Sequence, residues 1–305
     1  MTRAAAPPAA LGLPSPGAIV ELLKPVTWFP PMWAFGCGVV SSGISPDGRW
    51  HLVILGILLA GPLLCATSQV VNDWFDRHVD AINEPGRPIP SGRIPGRWGL
   101  YLALLWTALS IALAAALGPF VLAAAGLGLL LAWAYSAPPV RLKQNGWWGN
   151  AACGMSYEGL AWLTGASLLA GGAIPDMRVL LVALLYSAGA HGIMTLNDFK
   201  SLAGDRALGV GSLPARLGPE RAARVACVMM AVPQVGVIAL LAHGGHGLSA
   251  ALVTASLVAQ VACMARLLRD PRGLAPWYNA TGVSLFVLGM LATAIALGHG
   301  GAVAS

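Results

Sequence analysis

The stretch VVNDWFDRHVDAINEPGRPIPSGRIP, Val70 to Pro95, decides how this chain reads. It follows directly on an apolar run and carries three aspartates, Asp73, Asp76 and Asp80, at spacings of three and four. If the preceding helix continues through them, all three carboxylates share one face. Asn72 lies four residues before Asp76, beside that face. Arg87, Arg93 and Arg97 follow among prolines and glycines. Three like charges on one face repel unless a cation neutralises them. The plain alternative, a solvated helix end with ordinary aspartate caps, leaves that repulsion unanswered. Oxygen ligands for a hard cation beside guanidiniums for an anion describe a metal-bound phosphate group at a membrane surface, with Mg²⁺ the favoured ion.

The surroundings of that stretch are those of a polytopic membrane protein. Of 305 residues, 57% are hydrophobic and 10% charged, against about 25% charged in soluble domains. Mean hydropathy is +0.71. A net charge of +6 might point to nucleic acid in a soluble chain. Here the basic residues sit in short loops between apolar runs, so the charge reads as topology and nucleic acid is set aside. The five cysteines, Cys37, Cys65, Cys153, Cys227 and Cys263, show neither metal-ligand spacing nor a disulfide framework, and read as reduced packing residues. Pro7, Pro8, Pro14 and Pro16 break any signal-peptide core near the start. Residues 1–20 are therefore expected as a disordered cytosolic tail, and 21–305 as one intramembrane domain.

Apolar runs of spanning length recur nine times, at about 26–43, 52–73, 98–117, 119–136, 148–170, 178–197, 222–242, 248–267 and 277–297. The expected fold is all-α, with nine transmembrane helices. Sixteen of the eighteen basic residues fall on one side of that arrangement, and only Arg49 and Arg178 on the other. This bias places the amino terminus and the loops that follow the even-numbered helices in the cytosol, and the carboxyl terminus on the far side. The first acidic motif has an echo. Asn197-Asp198 ends the sixth run as Asn72-Asp73 ends the second, followed by Lys200, Asp205 and Arg206 and a Pro/Gly loop. Both motifs reach the same face, where two acidic sites can hold two divalent ions with a diphosphate between them. Asp73, Asp76, Asp80, Asp198 and Asp205 are thus candidate metal ligands and catalytic residues. Arg87, Arg93, Arg206 and Lys200 are candidate diphosphate contacts; helix-flanking topogenic charge is the competing reading for each arginine.

Paired aspartate motifs, the loop RPIPSGRIPGRWG (Arg87 to Gly99) and nine helices resemble the UbiA-type intramembrane prenyltransferases. More narrowly, KPVTWFPPMWAF (Lys24 to Phe35), AYSAPPVRLKQNGWWG (Ala134 to Gly149), AHGIMTLNDFKSLAGDRALGVGSLPARLG (Ala190 to Gly218) and RDPRGLAPWYNATGV (Arg269 to Val283) resemble the chlorophyll and bacteriochlorophyll synthase group. The short amino-terminal tail and AHGIMTLNDFK lean toward the bacteriochlorophyll branch. The resemblance implies a Mg²⁺-dependent enzyme with a cytosolic-side site in a bacterial inner or intracytoplasmic membrane. It would join a geranylgeranyl or phytyl group, from the diphosphate, to the propionate of bacteriochlorophyllide and release pyrophosphate. Proteins of pigment assembly are further candidate partners beside the lipid bilayer. Asn72 and Asn197 join the substrate-binding set. Tyr135, Arg141 and Lys143 resemble the family's Tyr…Lys element, with the basic residue that acts left open. Two departures are Ser201 and Ala203, which stand where relatives carry acids.

Other residues keep two readings. His191, seven residues before Asp198, either meets the macrocycle or is satisfied inside the bundle. Tyr135 either faces an allylic cation through its ring or belongs to the interfacial belt. His78 lies off the acidic face. Trp28, Trp33, Trp147 and Trp148 read first as interfacial anchors. Glu158 is the one acid well inside an apolar run, and either contacts pigment or braces helices. Rival functions are a chlorophyll synthase, a quinone or haem prenyltransferase, a divalent-cation transporter and a pigment-binding scaffold.

Overall fold

The structure, a computed structural model, describes residues 12–301. Helix α1 (Pro16–Leu23) starts inside the stretch expected as a tail. Ser15 caps it by accepting from the Ala18 N–H, and Pro16 occupies the first turn, where no donor is needed. Residues 1–11 of the expected tail lie outside the described residues. Helix α2 (Phe29–Ser41) follows, then α3 (Trp50–Asn83), α4 (Trp98–Leu117) and α5 (Pro119–Ser136). The chain continues through α6 (146–168), α7 (Met177–Asn197), α8 (Pro219–His243), α9 (Gly247–Leu267) and α10 (Pro271–Gly301). Among the described residues the fold is all-helical, apart from one isolated bridge between Asn145 and Gly211.

Among the described residues seven helices, α3 to α5 and α7 to α10, are long and apolar enough to cross a membrane. The other two expected crossings fall on α2, which is 13 residues long, and on α6. Large apolar side chains such as Leu104, Leu130, Val232 and Val258 point outward and are exposed, the surface a bilayer covers. Gly118 and Pro119 make the α4–α5 turn, Gly118 with φ of 121°.

Two helices contain a wide turn. In α3 it spans Leu59–Cys65 and encloses Pro62, whose missing N–H the looser winding accommodates. In α6 it spans Met155–Leu160. Beyond its wide turn α3 runs on to Asn83, ten residues past the expected end at 73, so the first acidic motif is helical throughout.

Small residues let the helices close up. A Cβ on Gly165 of α6 would lie 2.1 Å from the Phe35 carbonyl oxygen of α2, and one on Gly38 of α2 would lie 2.0 Å from the Trp162 carbonyl oxygen. Backbone therefore meets backbone at this crossing. The adjacent core joins four helices: Trp162 stacks on Tyr186 at 5.6 Å, and Tyr186 meets Phe286 edge-on at 5.2 Å. The polar tips are satisfied, Trp162 Nε1 donating to Ser41 Oγ at 3.0 Å and the Tyr186 hydroxyl lying 2.9 Å from Thr293 Oγ1. Between α8 and α9, Gln234 and Gln260 exchange amide hydrogen bonds of 3.0 and 2.9 Å.

Gly165→Ala should lower the melting temperature of the detergent-solubilised protein, at a cost of about 1–3 kcal/mol for the overpacked crossing. Gly126→Ala, where a Cβ meets nothing within 4 Å, should leave it unchanged or raised. Equal behaviour of the two variants would remove the close-approach argument.

Candidate active site

One cavity of about 950 Å³ opens at the end of the bundle where α3 and α7 finish. Its rim carries Asp76 and Asp80 from α3, and Asp198 and Asp205 from the segment after α7. The two acidic motifs thus face one space, as their parallel placement predicts. Asn72, Arg87, Tyr135, Arg141, Lys143, Asn197 and Lys200 also line it.

The first motif is wrapped in cations. Asp73 is 1% exposed and lies just behind the cavity wall. Its Oδ1 accepts from Lys24 Nζ at 2.6 Å and Arg87 Nη1 at 3.3 Å. Arg87 also bonds Asp80 at 2.9 Å and Glu84 at 2.5 Å. Successive helical residues turn by 100°, so Asp73 and Asp80 are nearly aligned and Asp76 is offset to one side. Asp76 accordingly meets a different pair, Arg141 at 3.1 Å and Lys143. Asn72 donates to Asp76 at 3.1 Å. Burial pushes the Lys143 ammonium below its ordinary pKa, with Asp76 pulling the other way. Burial works against charge on Arg87 as well, but Glu84, Asp73 and Asp80 outweigh it and raise its pKa.

The second motif is held by neutral groups. A tight turn, Asp198–Ser201, ends α7, and the short helix Leu202–Leu208 follows. Asn150 of α6 donates to Asp198 at 3.2 Å. Ser212 and Ser201 hydroxyls donate to Asp205 at 2.6 and 3.1 Å. Asn279 of α10 donates to Asn197 at 2.8 Å. The loop after α5 is stitched to the loop after this motif, Gly146 N–H donating to Gly211 at 2.9 Å and Gly211 N–H to Gln144 at 3.1 Å. That stitch delivers Arg141 and Lys143 to the gap between the motifs.

Some sequence candidates stand elsewhere. Arg206 is exposed and does not line the cavity. Arg93 is engaged by Glu21 at 2.5 Å, so it fastens α1 to the loop after α3. His191 is buried and does not line the cavity, its Nε2 3.1 Å from the Trp147 carbonyl and its ring 4.6 Å from the Trp147 ring, while its Nδ1 is buried without a hydrogen-bond partner. Sequence reasoning counted Lys24 as topogenic charge only. It passed over Asn150 and Ser212, whose small polar side chains carry no spacing signal.

The donors suit a hard cation. Every first-motif and second-motif ligand candidate is an oxygen, and Asp73 Oδ2 is buried without a hydrogen-bond partner. Among the described residues no three acids, histidines or cysteines are close enough to hold a metal by themselves. Completion by ligand oxygens is the arrangement Mg²⁺ commonly takes with phosphates.

The UbiA prenyltransferase family matches residues 27–290. The chain is 59% identical to the bacteriochlorophyll synthase 33 kDa chain of Cereibacter sphaeroides over 93% of its own length and 94% of that protein. It is 41% identical to the chloroplastic chlorophyll synthase of Oryza sativa subsp. japonica, covering 92% of this chain and 76% of that one. A UbiA homologue from Archaeoglobus fulgidus, solved with DMAPP and Mg²⁺, shares the fold with a TM-score of 0.68 at 22% identity, over 91% of this chain and 99% of its own.

Replacing Asn150 by Ala removes the side-chain hydrogen bond that orients Asp198. Divalent-cation affinity, titrated with Mn²⁺ by electron paramagnetic resonance, should fall roughly 10-fold or more. Unchanged Mn²⁺ binding would show that Asp198 needs no such support.

Proposed function

The chain belongs to the UbiA prenyltransferase family and is a multi-pass membrane prenyltransferase, and we propose that it esterifies the propionate carboxylate of bacteriochlorophyllide with a geranylgeranyl or phytyl group. The acceptor assignment is supported by 59% identity to a bacteriochlorophyll synthase chain across nearly the whole length, against 41% to a chlorophyll synthase. The observation that carries the reaction class is the single cavity rimmed by both aspartate motifs and floored by apolar helices.

The chemistry follows from charge. A carboxylate oxygen of the propionate forms a bond to C1 of the allylic chain, and the C1–O bond to the diphosphate breaks, its electron pair leaving with pyrophosphate. Mg²⁺, when bound by Asp73, Asp76, Asp80, Asp198 and Asp205, supplies Lewis-acid neutralisation of the leaving group. Arg87, Arg141, Lys143 and Lys200 add fixed positive charge around the same oxygens. The acceptor needs no strong general base, because carboxyls with pKa values near ~4 are already ionised at neutral pH. Tyr135 presents its ring beside the reacting end. Apolar walls keep water from the developing allylic cation.

In the same reading the chain crosses the membrane nine times, α2 and α6 supplying the remaining two passages. The amino terminus and the site lie on the cytosolic face of a bacterial inner or intracytoplasmic membrane, and residues 21–305 form one domain. A cation transporter would be expected to bind ions near the midplane on broken helices; the acidic rim favours the transferase.

Asp73→Asn and Asp198→Asn should each lower ester formation by at least about 100-fold in purified protein that still inserts and folds. Chelation with EDTA should abolish the activity and Mg²⁺ restore it. Full activity of both variants would overturn the metal assignment. Bacteriochlorophyllide and chlorophyllide offered together should give mainly the bacteriochlorophyllide ester; a preference for chlorophyllide would move the acceptor to the neighbouring branch.

A further inference from the structure

Glu158 sits in the wide turn Met155–Leu160 of α6. It is 8% exposed, and what remains open faces the cavity that the acidic motifs rim. No described residue gives its carboxyl a hydrogen bond or an ionic partner. The adjacent polar group is placed differently: the Tyr157 hydroxyl accepts from Gln69 at 3.0 Å and lies 3.3 Å from Ser68 Oγ. One of two neighbouring polar residues is therefore satisfied by protein, and the other is left for whatever fills the cavity. A buried polar group without a partner is costly, so such a group is kept where a ligand completes it.

Position narrows the ligand. Asn150, which holds Asp198, precedes Glu158 by eight residues on the same helix, roughly 12 Å of axial rise. Glu158 thus lies deep in the cavity, beyond the diphosphate end. Of the two substrates, a prenyl chain is hydrocarbon beyond its diphosphate and gains nothing from a carboxyl wall. A bacteriochlorin is a broad ring with carbonyl oxygens at more than one point of its periphery, so one can meet the deep wall while the propionate stays toward the rim. Resting on the esterification proposed above, we infer that Glu158 is an acceptor-binding residue, its carboxyl, as the neutral acid, donating a hydrogen bond to a peripheral carbonyl of the tetrapyrrole while the propionate reaches the metal-diphosphate end. The acid flagged in sequence as a break in an apolar run then marks the ring subsite.

The test is steady-state kinetics on purified full-length protein, varying bacteriochlorophyllide at fixed geranylgeranyl diphosphate and the reverse. Glu158→Leu should raise KM for bacteriochlorophyllide about tenfold and leave KM for the diphosphate unchanged. Glu158→Gln keeps a hydrogen-bonding group and should stay close to the unmodified protein. Glu158→Met, nearer in length, supplies a second apolar reading should Leu weaken the fold. An unchanged acceptor KM in the apolar variants, a raised KM for the diphosphate, or a Gln variant as impaired as Leu would each overturn the inference. If the unmodified protein forms no ester, the esterification reading itself fails, a result distinct from any variant effect.

Discussion

Lys24 and Arg87 close on Asp73 from two segments far apart in the chain, and much of the site's geometry depends on that contact. Asp73 is the least exposed acid among the described residues. An ionised carboxyl in that position is tolerated only with close, well-made ionic partners. The pairing draws the turn after α1 onto α3 and bends the Arg87 loop back over Asp80 and Glu84. Arg93 and Glu21 then fasten α1 across the same loop. The amino-terminal helix is thereby tied to the site through Lys24, the residue that follows it and lines the cavity.

The two acidic motifs are similar in spelling and different in electrostatics. Four cations compensate the first, while the second rests on amide and hydroxyl donors. In the esterification proposed above, a diphosphate brought in with metal ions would add both signs of charge at once, the cations of the first motif turning toward phosphate as metal meets the carboxylates. The second motif's carboxylates make no salt bridge among the described residues, with Lys200 the nearby cation acting on Asp198.

Below the rim the cavity changes character. Apolar side chains from α2, α3 and α5 line it, and the wide turns of α3 and α6 both border it. Wide turns release backbone from the regular ladder and re-aim side chains, which is where such turns are commonly found to matter. Here they bring Cys65, Tyr157 and Glu158 to the wall. Tight crossings at Gly38 and Gly165 keep the neighbouring helices rigid enough to hold that shape.

Much of this was legible in the residues alone. Apolar run length and loop charge set the helical membrane architecture, because a bilayer admits few other structures. The spacing of Asp73, Asp76 and Asp80 announced one acidic face, since 100° per residue leaves no other outcome on a continuous helix. Periodicity carries no information about partners distant in sequence. Lys24, Asn150 and Ser212 acquire their roles only when α1, α6 and the loop after α7 come together. Arg93 and Arg206 read like Arg87 in sequence, and tertiary packing alone separated them: one arginine into the cavity, one onto Glu21 and one out to the surface. Local patterns determine which face a side chain occupies; only the assembled bundle decides what stands opposite.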